Sequence, residues 1–303
     1  MLEMATRKNT TLIIAAVIVV AIGGVWWWMS RPGESVQIQQ KGSDTLLVLA
    51  QNWAEQYMAT VKNVEIVVSG GGSGTGISAL INKQIDIADA SRQIKSSEIE
   101  AANDGGVNPV EWKVALDGIS VIVHTANPLE EITYGQLRGI YNGSIVDWSE
   151  VDGDPGVIVA YGRQSTSGTY VYFNEEVLDE DDYRADKQQL AGNAEIVEAV
   201  INDPNGIGYV GVAYAQARGD ELKILKVKKE ASDTSYLPTS TNIANGNYPI
   251  SRYLYVYTDS IPEGETAKYL QYILGSDGQE IANQVGYISI PDSVANEQLN
   301  KLE

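Results

Sequence analysis

Residues 161–170 read YGRQSTSGTY, and residues 69–76 read SGGGSGTG. The tripeptide Ser-Gly-Thr therefore occurs twice, at Ser73–Thr75 and at Ser167–Thr169. Arg163 precedes the second copy, and each copy leads into an apolar run of helical spacing. A helix start presents unpaired backbone N–H groups and the positive end of a dipole. Glycine lets an anion come close to those groups, and Ser or Thr hydroxyls add donors. An arginine adds a planar charged fork that suits a tetrahedral oxyanion. The chemistry these residues suit is the capture of a small dehydrated anion. A third turn, GSDT at 42–45, has the same design. Each turn alone reads equally well as an ordinary helix cap or flexible loop. SGGGSGTG is neither G-x-G-x-x-G nor a P-loop, because no Gly-Lys-Ser/Thr follows.

Composition narrows the functions available. The 303 residues carry Lys+Arg 21 against Asp+Glu 40, a net charge of −19. Phosphate-backbone binding needs a basic face, so nucleic acid is not expected as a partner. There are no cysteines and one histidine, His124. Thiolate chemistry and multi-histidine metal sites are thereby removed, and no metal or cofactor is expected. A Ser-His-Asp triad would have to use His124, which sits in the apolar stretch GISVIVHTANP and reads as structural.

The elements that must position the three turns alternate between strand and helix. VQIQQKGS reads as a strand and DTLLVLAQNWAEQYMAT as a helix capped by Asp44 or Thr45. VEIVV, DIADAS, the long KVALDGISVIVHTANP, GVIVAYGR, PNGIGYVGVAYA and YPISRYLYVYT read as strands. GISALINKQI, SSEIEAAN, TYGQLRGIY (capped by Thr133), GTYVYFNEEVL, NAEIVEAVIND and a closing pair within 265–286 read as helices. LKVKK reads as an exposed edge guarded by lysines. The alternation predicts an α/β fold with mainly parallel sheets, whose ligands bind beyond the carboxyl ends of the strands.

The N-terminus is organised differently. Thr11–Met29 is an uncharged apolar run long enough to span a bilayer. Arg7 and Lys8 precede it and Trp26–Trp28 close it, which orients residues 1–10 to the cytoplasm and the bulk outside. The alternative is a cleavable signal segment, but no small-x-small site lies near WWWMSRPG. We read residues 11–29 as an anchor and 30–35 as a linker.

Taken in order, GSDTLLVLAQNWAEQYM, VSGGGSGTGISALINKQIDIADASRQIK, VALDGISVIVHTANP, YGRQSTSGTYVYF, GIGYVGVAYA and YPISRYLYVYT resemble the PstS-type phosphate-binding proteins of ABC phosphate importers. The resemblance runs from about Val36 to Pro291. It implies a two-lobed periplasmic-binding-protein-like type II fold, each lobe a mainly parallel sheet flanked by helices. Residues 36–125 with 247–303 would form lobe I, and 126–246 lobe II. It implies a monomeric, extracytoplasmic receptor that closes on inorganic phosphate and docks on ABC permease subunits. The family's ligand contacts fall on Ser43, Asp44 and Thr45; on Ser73 and the backbone at Gly74; on Ser91 with Arg92 beside it; and on Arg163, Ser167, Gly168 and Thr169.

The chain departs from the family at one point. Better-known members have an aspartate where Ser91 stands, and that aspartate accepts the ligand's proton. Asp44 and Asp89 are the nearest acids, and Asp44 is expected to take the role unless it only caps its helix. Arg92 either touches the ligand or pairs with Asp44 or Asp89. Other readings of the clamp are a receptor for sulfate, molybdate or tungstate, a sensor, or a phosphatase-type enzyme using Ser73 or Ser167.

Overall fold

The computed structural model describes residues 35–302. The anchor expected at 11–29 lies outside the described residues. Among the described residues no helix is long and apolar enough to cross a membrane.

Eleven strands organise the described chain: β1 (Val36–Gly42), β2 (Val64–Ser69), β3 (Ile87–Ala90), β4 (Pro109–Val123), β5 (Glu131–Thr133), β6 (Val159–Arg163), β7 (Gln188–Leu190), β8 (Gly206–Gly211), β9 (Lys223–Ile224), β10 (Lys226–Lys228) and β11 (Ser251–Asp259). Between and after them lie α1 (Leu47–Thr60), α2 (Ser73–Ile81), α3 (Ser96–Asp104), α4 (Tyr134–Asn142), α5 (Gly168–Glu176), α6 (Asn193–Ile201), α7 (Val212–Gln216), α8 (Ser240–Ala244), α9 (Gly264–Leu274), α10 (Ser276–Val285) and α11 (Asp292–Leu299).

The expected α/β class and two-lobed architecture hold, but the sheet is mixed. Nine strands run in the order β2-β1-β3-β11-β4-β8-β6-β7, with β9 beside β4. β1, β2 and β3 are parallel, as are β6, β7 and β8. β11 and β4 run antiparallel to each other, β11 also to β3, and β4 to β8. The physical reason is the shared strand β4. Its first part pairs with β11 up to Gly118, and from Ile119 it pairs with β8. A strand that crosses between lobes within the sheet leaves fewer neighbours running its own way. β10 pairs with β5 in a separate two-stranded sheet.

The core divides along the same line. Ile38, Trp53, Trp112 and Ile273 belong to one buried cluster, over β1, β4 and the helices of the first lobe. Val121, Tyr141, Phe173 and Tyr209 belong to another, over β4, β6 and β8 of the second. Full burial of such side chains contributes about 1.5–3 kcal/mol each.

Several local expectations change. α1 begins after Leu46, with no side-chain cap, rather than at Asp44 or Thr45. Those two side chains are engaged across the cleft instead. α2 opens three residues before the expected GISALINKQI and stops at Ile81, since Lys83 takes a left-handed φ of 56°. The strand ending at Gly211 turns directly into α7, so VAYA is helical. α11 was not foreseen. Thr133 does cap α4, in a reciprocal box with Gln136.

The turn after β1 depends on Gly42. Its φ is 149°, and a Cβ there would sit 2.1 Å from the Asp89 carbonyl oxygen. That carbonyl accepts the Ser43 N–H at 2.9 Å. Gly42→Ala is expected to cost about 1–3 kcal/mol through strain and displacement of β3. Urea unfolding measures it, and an unchanged midpoint would refute the tight approach.

Candidate functional site

The carboxyl ends of β1, β2 and β3 bring their following turns side by side, and the turn after β6 meets them from the second lobe. Ser43, Thr45, Ser73, Ser91, Arg92, Arg163, Ser167 and Thr169 are all buried polar side chains there. The three turns of the sequence converge.

Asp44 ties them together. One carboxylate oxygen accepts the Gly71 N–H at 2.7 Å, in the glycine-rich turn. The other accepts Nη2 of Arg163 at 2.5 Å, across the cleft. Its carbonyl accepts the Tyr214 hydroxyl at 2.7 Å. Arg163 is 1 % exposed. Its Nε and Nη1 are buried and meet no protein acceptor among the described residues. Behind it, Nζ of Lys187 donates to the Arg163 carbonyl at 3.1 Å. Burial lowers Lys187 to about 8, and its ammonium lies over the rings of Tyr170 and Tyr183.

The lobes touch at several further points. The Gly74 N–H donates to the Thr166 carbonyl at 3.1 Å, so this predicted backbone contact is committed to the opposite lobe. The hydroxyls of Thr45 and Thr169 lie 3.0 Å apart. Ser73 Oγ accepts the Ser91 N–H at 3.0 Å and lies 3.3 Å from the Ser91 hydroxyl. A Cβ on Gly168 would come within 2.4 Å of Ser73 Oγ and 2.6 Å of Ser91 Oγ, so only glycine allows this approach. Ser167 caps α5, its Oγ accepting the N–H groups of Thr169 and Tyr170.

Arg92 pairs with neither Asp44 nor Asp89. Its guanidinium grips Glu98 of α3 with two bonds of 2.7 and 2.8 Å. Burial works against the Glu98 carboxylate, but the Arg92 and Lys95 donors hold it below its usual range. Asp89 lies 1 % exposed beneath the turns, one oxygen accepting from Gln40 at 2.7 Å and the other without a partner among the described residues.

Among the described residues no base bonds to either candidate nucleophile. Ser73 bonds to Ser91 and Ser167 to backbone N–H groups, while Nδ1 of His124 accepts the Ala126 N–H. Sequence reasoning missed Asp117, Arg252, Thr166, Tyr214 and Tyr287. Asp117 carried a readable signal, the one charge in the run VALDGISVIV, and Arg252 a weaker one, a charge beside the run YLYVY. The others had none, because they act through partners far away in the chain: Thr166 through Gly74, Tyr214 through Asp44 and Tyr287 through Thr45.

A family model described as a PBP superfamily domain matches residues 30–277. The phosphate-binding protein PstS of Pseudomonas aeruginosa is 33% identical, covering 89% of this chain and 88% of its own length. That of Staphylococcus epidermidis is 32% identical, covering 87% and 82%. A Clostridium perfringens structure with bound phosphate, described as a phosphate ABC transporter substrate-binding protein, superposes with a TM-score of 0.75. It is 28% identical and covers 84% of this chain and 100% of its own. An ABC-type phosphate transport receptor from Vibrio cholerae gives 0.69 at 26% identity, with the same coverage.

Asp89 generates a test of the packing under the turns. Burial pushes its carboxyl to about 7, against the bond from Gln40 that favours the ionised form. The unfolded carboxyl titrates near ~3.9. Between these values the folded chain holds a proton that the unfolded chain has lost, so this group's stabilisation is complete below about pH 4 and fades as pH rises through 7. Asp89→Asn keeps the group neutral throughout. Its stability relative to the parent is expected to rise from about pH 4 to about pH 7 and then to level off, read by thermal unfolding. Parallel pH profiles would show that Asp89 does not titrate this way.

Proposed function

From the premise that this chain belongs to the PBP superfamily, and within it to the PstS phosphate-binding proteins, we propose that it captures inorganic phosphate between its lobes and delivers it to an ABC permease. The observation that carries the proposal is the buried Arg163. Two of its nitrogens lack an acceptor among the described residues, where the starts of α2 and α5 meet. Ser43, Ser73, Ser91, Ser167 and Thr169 hydroxyls, with backbone N–H groups near Gly168, supply the neutral donors around it. A buried charged donor gains its full value only from an anion that has shed water.

The protein is a binding protein rather than an enzyme in this reading. Among the described residues neither Ser73 nor Ser167 has a base bonded to it that could activate it. Lobe I takes residues 36–125 with 247–303, and lobe II residues 126–246. The receptor acts outside the cytoplasmic membrane as a monomer, held by the 11–29 segment. Arg92 fixes the turn after β3 through Glu98, and its Nε, without a protein acceptor among the described residues, is kept for the ligand.

Asp44 supplies the selectivity. Its charge offsets that of Arg163, so the clamp prefers an anion that brings a proton to one that brings only charge. A site built around a hydroxyl of the ligand rejects analogues that lack it. Calorimetry on the full chain in detergent is expected to show binding of phosphate and none of sulfate. Arg163→Met should weaken phosphate binding by about 2–5 kcal/mol. Asp44→Asn should narrow the gap between phosphate and sulfate. Sulfate binding by the parent would move the protein to another oxyanion, and unchanged selectivity in the variant would remove Asp44 from the role.

A further inference from the structure

Two strands cross near the cleft, and an ion pair joins them. Arg252 at the start of β11 stands opposite Asp117 of β4. Their side chains are 3 % and 0 % exposed, with Nη2 3.0 Å and Nε 3.3 Å from one carboxylate oxygen. The other oxygen accepts the Val212 N–H at the start of α7, 3.2 Å away. Burial raises the Asp117 carboxyl, and Arg252 opposes that rise.

Arg252 does not stop at Asp117. The same Nη2 donates to the Thr169 hydroxyl at 2.8 Å, and Nη1 reaches the Gly168 carbonyl at 3.5 Å. The Tyr172 ring covers the guanidinium, 5.2 Å away. Thr169 in turn lies 3.0 Å from Thr45 of the opposite lobe. A guanidinium only donates, so Thr169 Oγ must accept from it. Either Thr169 then donates to Thr45, or Thr45 donates to Thr169. In both cases the linked pair keeps one O–H free, that of Thr45 in the first and that of Thr169 in the second.

We infer that Arg252 is a positioning residue for ligand capture. Held by Asp117 in the crossing strands, it fixes the Thr169 hydroxyl so that the Thr45–Thr169 pair forms on closure and presents one oriented O–H donor to the bound anion. The inference rests on the phosphate-receptor reading. It assigns to the crossing strands a part in how long the ligand stays. Capture in the open state does not need the Thr45–Thr169 contact, because that contact exists only when the lobes meet. Release does need it broken.

The test is release of radiolabelled phosphate from the full chain into excess unlabelled phosphate, alongside the association rate. The parent protein is measured first. If it does not hold phosphate, the receptor reading fails, and this inference with it. If it does, Arg252→Gln and Thr169→Val are each expected to speed release by roughly ten-fold or more, as for loss of a charge-assisted bond. Association should stay within about two-fold, since affinity changes among variants lie mostly in release. The double variant should release no faster than the faster single one, because both remove the same link. Unchanged release in either single variant, or multiplicative effects in the double, would overturn the inference while leaving the receptor reading standing. A purely structural role predicts instead a lower melting point of the ligand-free protein with parental release. Should Arg252→Gln fail to fold, Arg252→Lys keeps a cation beside Asp117 but lacks a fork that spans to Thr169. Faster release in that variant supports the inference, and parental release refutes it.

Discussion

The Asp44–Arg163 pair is the interaction on which the arrangement of the site depends. Moving either charge out of water is expensive unless each is well paired and hydrogen-bonded. Asp44 meets this with the Gly71 N–H on one oxygen and the guanidinium on the other. Arg163 meets it only in part, because two of its nitrogens find no protein partner. The pair thus joins the lobes while leaving the cation with donor capacity to spend. In the proposed phosphate clamp, that unspent capacity is what makes an anion the natural third member.

Around this pair the fold uses approach rather than reach. Gly42 lets β1 lie against the Asp89 carbonyl, and Gly168 lets α5 lie against Ser73 and Ser91. Most of the groups proposed to hold the ligand are short hydroxyls and backbone amides, so they act only if the backbones that carry them come close. Parallel strands β1, β2 and β3 supply that closeness within one lobe, by ending at the same edge. The second lobe supplies its half through β6 and the start of α5.

The crossing strands carry a second buried ion pair, Asp117–Arg252, whose members also bond to Val212 and Thr169. The shared β4 makes the two lobes parts of one sheet. Motion between lobes must therefore bend strands rather than loosen a linker. Charges placed at that bend sense the relative position of the lobes in a way that surface charges, screened by water, do not.

The turns GSDT, SGGGSGTG and RQSTSGT were legible in the sequence, because strand–turn–helix punctuation is local, while their convergence was decided by the fold. Glycines, small hydroxyls and helical periodicity mark such turns within a few residues. The α/β class and the Thr133 cap were legible for the same reason. The partners of Asp44, Arg92 and Arg252 were not, and neither was the mixed order of the sheet. Asp44 looks like a helix cap until Arg163, 119 residues later, is brought against it. Arg92 found Glu98 on the adjoining helix rather than either expected acid, because the turn after β3 directs it toward α3. Residue types and their order along the chain thus settled which groups were available for anion chemistry. Only the tertiary structure decided which charges neutralise each other, since pairing depends on distance in space and on burial, and neither is written in local spacing.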